Sequence, residues 1–175
     1  MFSRYSLLFL LLFAQPGFAN ERTIEHIGDG LAVLIPATAY GSTLYLNDHE
    51  GQIEFYRSIG VSTATTFGLK YTVKRERPDG SDDHSFPSAH TMLAFEGATF
   101  IHRRYGLKYA AAAYIGAVFV GYSRIEADKH YLSDVLAGAA IGSLSSWFFT
   151  DRYRHVQISA IANRGAYGLK IAYVW

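Results

Sequence analysis

The chain has no cysteine, which excludes a disulfide framework, a thiolate metal centre and a thiol nucleophile alike. Proline is scarce too, with 4 in 175 residues at isolated positions, which excludes a polyproline chain and leaves room for long helices. Charge of either sign is nearly balanced, at a formal net +1 and a sequence pI near 8.0. The protein as a whole is therefore not built to bind a polyanion, and nucleic acid is not expected as a partner. Long apolar runs are missing as well. The stretches 31–46, 110–122 and 135–149 each fall short of the roughly 18 residues that a membrane span needs, and a mean hydropathy of +0.06 is low for a polytopic protein. Together these absences predict one compact, mainly helical domain held by its core alone.

What is present begins with an export pattern. Arg4 supplies a short basic region, 7–13 is apolar, and Gly17-Phe18-Ala19 offers small residues at a cleavage position, so 1–19 reads as a secretory signal, with an uncleaved membrane anchor as the alternative. The protein is then expected to be exported, periplasmic or membrane-associated on the outer side, with a single helical domain over 20–152. The tail differs in kind. Val156, Ile158 and Ala160, then Asn163-Arg164-Gly165, then Tyr167, Leu169, Ile171 and Tyr173 follow a period of two around a turn signal, which predicts a β-hairpin over 153–175 packed on the same domain.

Between these ends the periodicity is helical. Helices are expected over 31–46 through Pro36, over 52–74 with Pro78 closing it, from Pro87-Ser88 to Tyr105, over 107–122, and from about 129 to 149 with Asp128 as its cap. Gly116, Gly121, Gly138 and Gly142 suit close helix packing. The fold class is all-α, a helical bundle with a C-terminal hairpin.

Three segments carry chemistry. Lys70, Lys74, Arg75 and Arg77 fall in one eight-residue window, and Lys70 and Arg77 share a face if the helix extends that far. Arginine forks and a lysine ammonium suit the oxygens of a phosphate, and Lys70, Arg77 and Arg124 form the expected cradle. Ser88 and His90 stand at the start of a helix, where backbone N–H groups favour an anion and an imidazole can act as general acid. His130 and Asp134, four residues apart, read as an imidazole oriented by a carboxylate on one helical face, with Nε2 left as nucleophile. Each residue alone also reads as an ordinary surface group or cap; their conjunction carries the weight. His84 beside Asp82 and Asp83 reads as a polar loop rim, and no metal-ligand spacing is found. His26, His49, His102 and His155 are given no role.

The pattern Lys70, six residues, Arg77-Pro78, then Pro87-Ser88-Ala89-His90, then Ser123-Arg124, five residues, His130, three residues, Asp134 resembles the three-part signature of the type 2 phosphatidic acid phosphatase (PAP2) superfamily. That superfamily also includes class A acid phosphatases and vanadium haloperoxidases. The resemblance implies a helical phosphatase that works without a metal or other cofactor on phosphomonoesters, lipid phosphates or pyrophosphates. In it His130 would form a phosphohistidine, Asp134 would orient His130, and His90 would act as general acid and then base. Lys70, Arg77, Ser88, the backbone at Ala89 and Arg124 would bind the phosphate. The implied partner is a phosphorylated small molecule or lipid head group, with peripheral membrane contact. The family usually has glycine where Ala89 stands, so a helical Ala89 is required. Alternatives from other classes are a vanadate-dependent haloperoxidase and a non-catalytic phosphate-binding or structural protein.

Overall fold

The computed structural model describes residues 21–153, 155–163 and 166–174; the expected signal at 1–19 lies outside the described residues. Five helices run in order: α1 (Glu21–Tyr45), α2 (His49–Val73), α3 (Ala89–Tyr105), α4 (Leu107–Glu126) and α5 (Leu132–Phe149). Strands β1 (His155–Asn163) and β2 (Ala166–Val174) follow and pair antiparallel, with His155 opposite Val174 and Asn163 opposite Ala166.

Two helix boundaries differ from the sequence reading in ways that reshape the site. Helix α2 stops at Val73, because Lys74 turns into the left-handed region at φ 45°, so Arg77 lies in the following loop and not on a helical face with Lys70. Asp128 does not cap α5; it also has a left-handed φ, 52°, and α5 begins only at Leu132 with Tyr131 at its N-cap. His130 therefore precedes the helix that contains Asp134. Helix α1 in turn starts ten residues before position 31, at Glu21, and runs unbroken through Pro36.

Helix α3 is the hub, packed against all four other helices. Its closest neighbour is α5, and the approach depends on glycine. A Cβ at Gly138 would lie 2.3 Å from the Ser88 carbonyl oxygen, and one at Gly142 would lie 2.2 Å from that of Met92. Small side chains fill much of the interior: Ala32, Ala94, Ala98 and Ala117 pack with Ile35 and Val120 in one cluster, and Ala39 and Ala110 with Phe55, Phe100 and Ile101 in another. Buried hydroxyls add to this. Ser145 Oγ donates to the Ser58 carbonyl at 2.7 Å, and Ser58 Oγ to Glu96 Oε1 at 2.9 Å, joining α2, α3 and α5.

Large apolar side chains point outward instead. Val33 is 66% exposed, Ile115 74% and Phe148 79%, and Leu34, Ile53, Val118, Leu136 and Leu144 are also exposed. Small residues inside and large apolar ones outside are the pattern of helices that pack in lipid rather than in water. Helices α1 and α2, at 25 residues each, are about 37 Å long, more than a bilayer's hydrocarbon core of about 30 Å. The expectation that the last apolar run is too short is corrected for one helix: α5 begins at 132 rather than 135, and its 18 residues are long and apolar enough to cross a membrane.

At the end of α3 away from Ser88, Arg104 is buried and bonded to both carboxylate oxygens of Asp48, to Glu50, to Glu54 and to the Asp151 carbonyl. This cluster borders a cavity of about 790 Å³ that Tyr45, Tyr105 and Tyr153 also line.

The glycine contacts yield a stability prediction. Gly142→Ala sets a methyl against backbone atoms of Met92 and Glu96, which cannot swing aside, whereas Gly60→Ala on α2 meets nothing within 4 Å. The first should lower stability by about 1–3 kcal/mol and the second should be neutral or slightly stabilising, as read by thermal unfolding in detergent. Equal behaviour of the two variants would contradict the packing described.

Candidate active site

The sequence-selected residues gather where four helices end: the C-termini of α2 and α4 and the N-termini of α3 and α5. The two N-termini turn the positive ends of their dipoles to this side, a setting that favours an anion. Ser88 caps α3, its Oγ accepting from the Thr91 backbone N–H at 3.5 Å and from the Thr91 hydroxyl at 3.1 Å. Ala89 is the first residue of α3 and is absent from the positive-φ residues, so the methyl where the family usually has glycine sits without strain.

The cations come from three places. Lys70, buried near the end of α2, donates to the His84 carbonyl at 2.6 Å. Arg77, in the loop after α2, bonds Asp82 Oδ1 at 2.8 Å and the Lys129 carbonyl at 3.3 Å. Arg124, buried on the last turn of α4, reaches Asp29 Oδ1 at 2.7 Å, the Glu25 carbonyl at 2.7 Å and Ser123 Oγ at 3.2 Å. Its own carbonyl accepts from the N–H groups of Lys129 and His130, at 3.0 and 3.2 Å, and so fixes the turn that delivers His130. All three cations lie within electrostatic reach of His90, and Lys70 and Arg77 also of His130.

The His130–Asp134 pair departs from the expected geometry. Nδ1 and Oδ2 are 3.9 Å apart, too far for a hydrogen bond, because His130 is not on the helix with Asp134. Ser85 bridges the gap: its Oγ donates to Asp134 Oδ2 at 2.5 Å and lies 3.5 Å from His130 Nδ1. Asp134, fully buried, also accepts from Arg75 Nη1 at 2.7 Å and from the Tyr131 backbone N–H at 3.0 Å, and its carbonyl accepts from the Ser88 N–H at 3.0 Å. The Arg75 guanidinium lies 4.1 Å over the Tyr131 ring and donates to Ser133 Oγ at 2.7 Å. Burial first, then the charges of Arg77 and Lys70, push the His130 imidazole down to about 3 against the opposing pull of Asp134. A neutral imidazole with a free nitrogen lone pair is the nucleophilic form.

Three participants escape sequence reasoning. Arg75 stood in the basic window, but nothing distinguished it from Lys74. Ser85 lies just before the Pro87-Ser88 segment and reads as loop. Asp29 is on α1, far upstream of any motif, yet its Oδ1 lies 3.3 Å from His90 Nε2 as well as on Arg124. No sequence pattern marks it. His84, read as a loop rim, pairs with Asp83 at 2.9 Å, and among the described residues no His, Asp and Glu side chains group as a metal-ligand set.

A family model described as the PAP2 superfamily matches residues 53–157, a span that holds all of these segments except Asp29. The chain belongs to the PAP2 superfamily. Among PAP2 relatives, it is 49% identical over 127 residues to a lipid A 1-phosphatase of Porphyromonas gingivalis, a match covering 66% of this chain but 28% of that longer protein. It is 28% identical to a lipid A 4'-phosphatase of Helicobacter pylori over 93% of this chain and 90% of that one. The solved structure of LpxE from Aquifex aeolicus superposes with a TM-score of 0.57 at 23% identity, over 83% of this chain and 93% of that one, a likeness of PAP2 fold.

Because burial, and then the cations, hold His130 neutral, its ring should show no protonation through the neutral and mildly acidic range when followed by imidazole NMR. Arg77→Gln removes one of the repelling charges and should raise the titration midpoint. A His130 that titrates at its ordinary value in the unaltered protein would contradict this electrostatic reading.

Proposed function

We propose that this chain is a membrane-bound phosphatase that removes a phosphate from a phosphorylated lipid through a phosphohistidine at His130. The observation that carries the reading is the convergence of Lys70, Arg77 and Arg124 on one helix-end site that also contains two imidazoles, one of them held neutral. The lipid reading is supported by the names of the relatives and by the apolar outer faces of the helices, which would set the site at the level of lipid head groups.

In the first step His130 Nε2 attacks phosphorus as the P–O bond to the lipid alcohol breaks. Its Nδ1–H is held through Ser85 toward Asp134, which stabilises the positive charge that builds on the ring. Protonated His90 gives its proton to the departing oxygen. Lys70, Arg77, Arg124 and the helix N-terminus at Ser88 and Ala89 hold the non-bridging oxygens, whose charge grows in the transition state. In the second step water attacks phosphorus, neutral His90 takes its proton, the N–P bond breaks, and phosphate leaves. Three protein cations supply the charge stabilisation, and the proposal needs no metal.

Phosphate release tests it. The full chain in detergent should hydrolyse a lipid A-type phosphate faster than p-nitrophenyl phosphate, with or without a chelator. His130→Ala should lose about three orders of magnitude or more in kcat. Release that survives in His130→Ala, or that stops on chelation, would overturn the mechanism; a preference for the soluble ester would overturn the lipid assignment.

A further inference from the structure

We propose that Asp29 is a positioning residue for His90: from α1 it sets a carboxylate beside the ring and so favours the imidazolium that donates the proton to the leaving oxygen. The inference rests on the phosphatase reading above and assigns a role outside its three segments.

A single oxygen, Asp29 Oδ1, accepts from Arg124 Nη1 at 2.7 Å and lies 3.3 Å from His90 Nε2. The two form an ion pair when the ring is protonated, so the carboxylate acts on His90 through its charge. The charged groups that face His90 are Arg124 from α4, Lys70 from α2, Arg77 from the following loop and Asp29 from α1. Three of the four are cations and disfavour the imidazolium that a general acid must be; Asp29 is the carboxylate that opposes them. It thus serves His90 as Asp134 serves His130, and because it also holds Arg124 it sets the acid beside one wall of the phosphate cradle.

The placement is built into α1. A Cβ at Gly28 would lie 2.0 Å from Ser123 Oγ and 2.9 Å from Arg124 Nη2, so only glycine lets α1 come close enough for Asp29 to reach both partners. The Glu25 carbonyl, one turn earlier on α1, takes the other Arg124 nitrogen at 2.7 Å.

The protons balance over the two steps. Cationic His90 passes a ring proton to the lipid oxygen as that oxygen leaves phosphorus, and becomes neutral beside Asp29. When water adds to phosphorus and the His130 N–P bond breaks, the neutral ring takes the water proton and the ion pair with Asp29 is restored.

The test is the dependence on leaving group of first-turnover alcohol release by the full chain in detergent. An alkyl phosphate needs the acid, whereas p-nitrophenolate leaves without a proton. Asp29→Asn should slow the alkyl substrate by about a hundredfold and the p-nitrophenyl ester by only a few-fold, the retained second activity showing that the variant is folded. Asp29→Glu should recover most of the alkyl rate. The same loss on both substrates, or none on either, would overturn the proposal while wild-type turnover and its dependence on His130 left the phosphatase reading intact. A wild-type protein silent on both substrates would instead overturn that reading, and this one with it.

Discussion

The buried carboxylate of Asp134 is the constraint on which the site depends. A charge taken out of water is tolerated only if its oxygens are satisfied, and Asp134 draws those partners from every segment of the site. Arg75 comes from the loop after α2, Ser85 from the stretch before α3, and the Tyr131 N–H from the turn before α5. Its main-chain oxygen accepts from Ser88 and so ties the start of α3 to the start of α5. One residue thereby sets the register between the helix N-terminus at Ser88 and the turn that carries His130. Removing Arg75 would leave the buried Oδ1 unpaired, a larger penalty than the bond itself contributes.

The electrostatics follow from that arrangement. Burial, and then the cations Arg77 and Lys70, repel a proton from His130 and keep the ring in the neutral form that the proposed attack requires. A bound phosphate would offset those charges, and it would do so where the attacking ring begins to become positive. The rest of the fold serves to hold four helix ends together at one level. Glycine at 138 and 142 lets α5 lie against α3, the Arg104 cluster ties the far end of α3 to the start of α2, and large apolar side chains face outward. A bundle of this kind gains little from expelling large side chains from water. It relies on close contact and internal hydrogen bonds, which is why so many of its interior positions are alanine, serine or threonine.

Much of this was legible in the sequence. The helical class, the helix start at Ser88 and the helical Ala89 follow from periodicity and capping signals, and motif spacing singles out Lys70, Arg77, His90, Arg124, His130 and Asp134, while α4 runs past its expected end at 122 to include Arg124. What was not legible depended on main-chain conformation and long-range contact. Left-handed Lys74 and Asp128 carry no sequence mark, and they move Arg77 and His130 off the helices on which spacing alone would put them. The bridging hydroxyl of Ser85 exists because of that displacement. Asp29 is brought in by the packing of α1 on α4, which only the folded chain discloses. The outward apolar surface was hidden for another reason: hydropathy averaged along the chain cannot show that the small and polar residues are the buried ones.

The central claim is that phosphate passes through a covalent bond to His130. Its most direct measurement is a rapid alkaline quench of the full chain during turnover, followed by mass spectrometry of the peptide that contains His130. The account predicts a phosphoryl group on that histidine, formed at the rate of alcohol release and lost at the rate of phosphate release. A phosphoryl group on another residue, or full-rate turnover with the His130 peptide unmodified throughout, would contradict it.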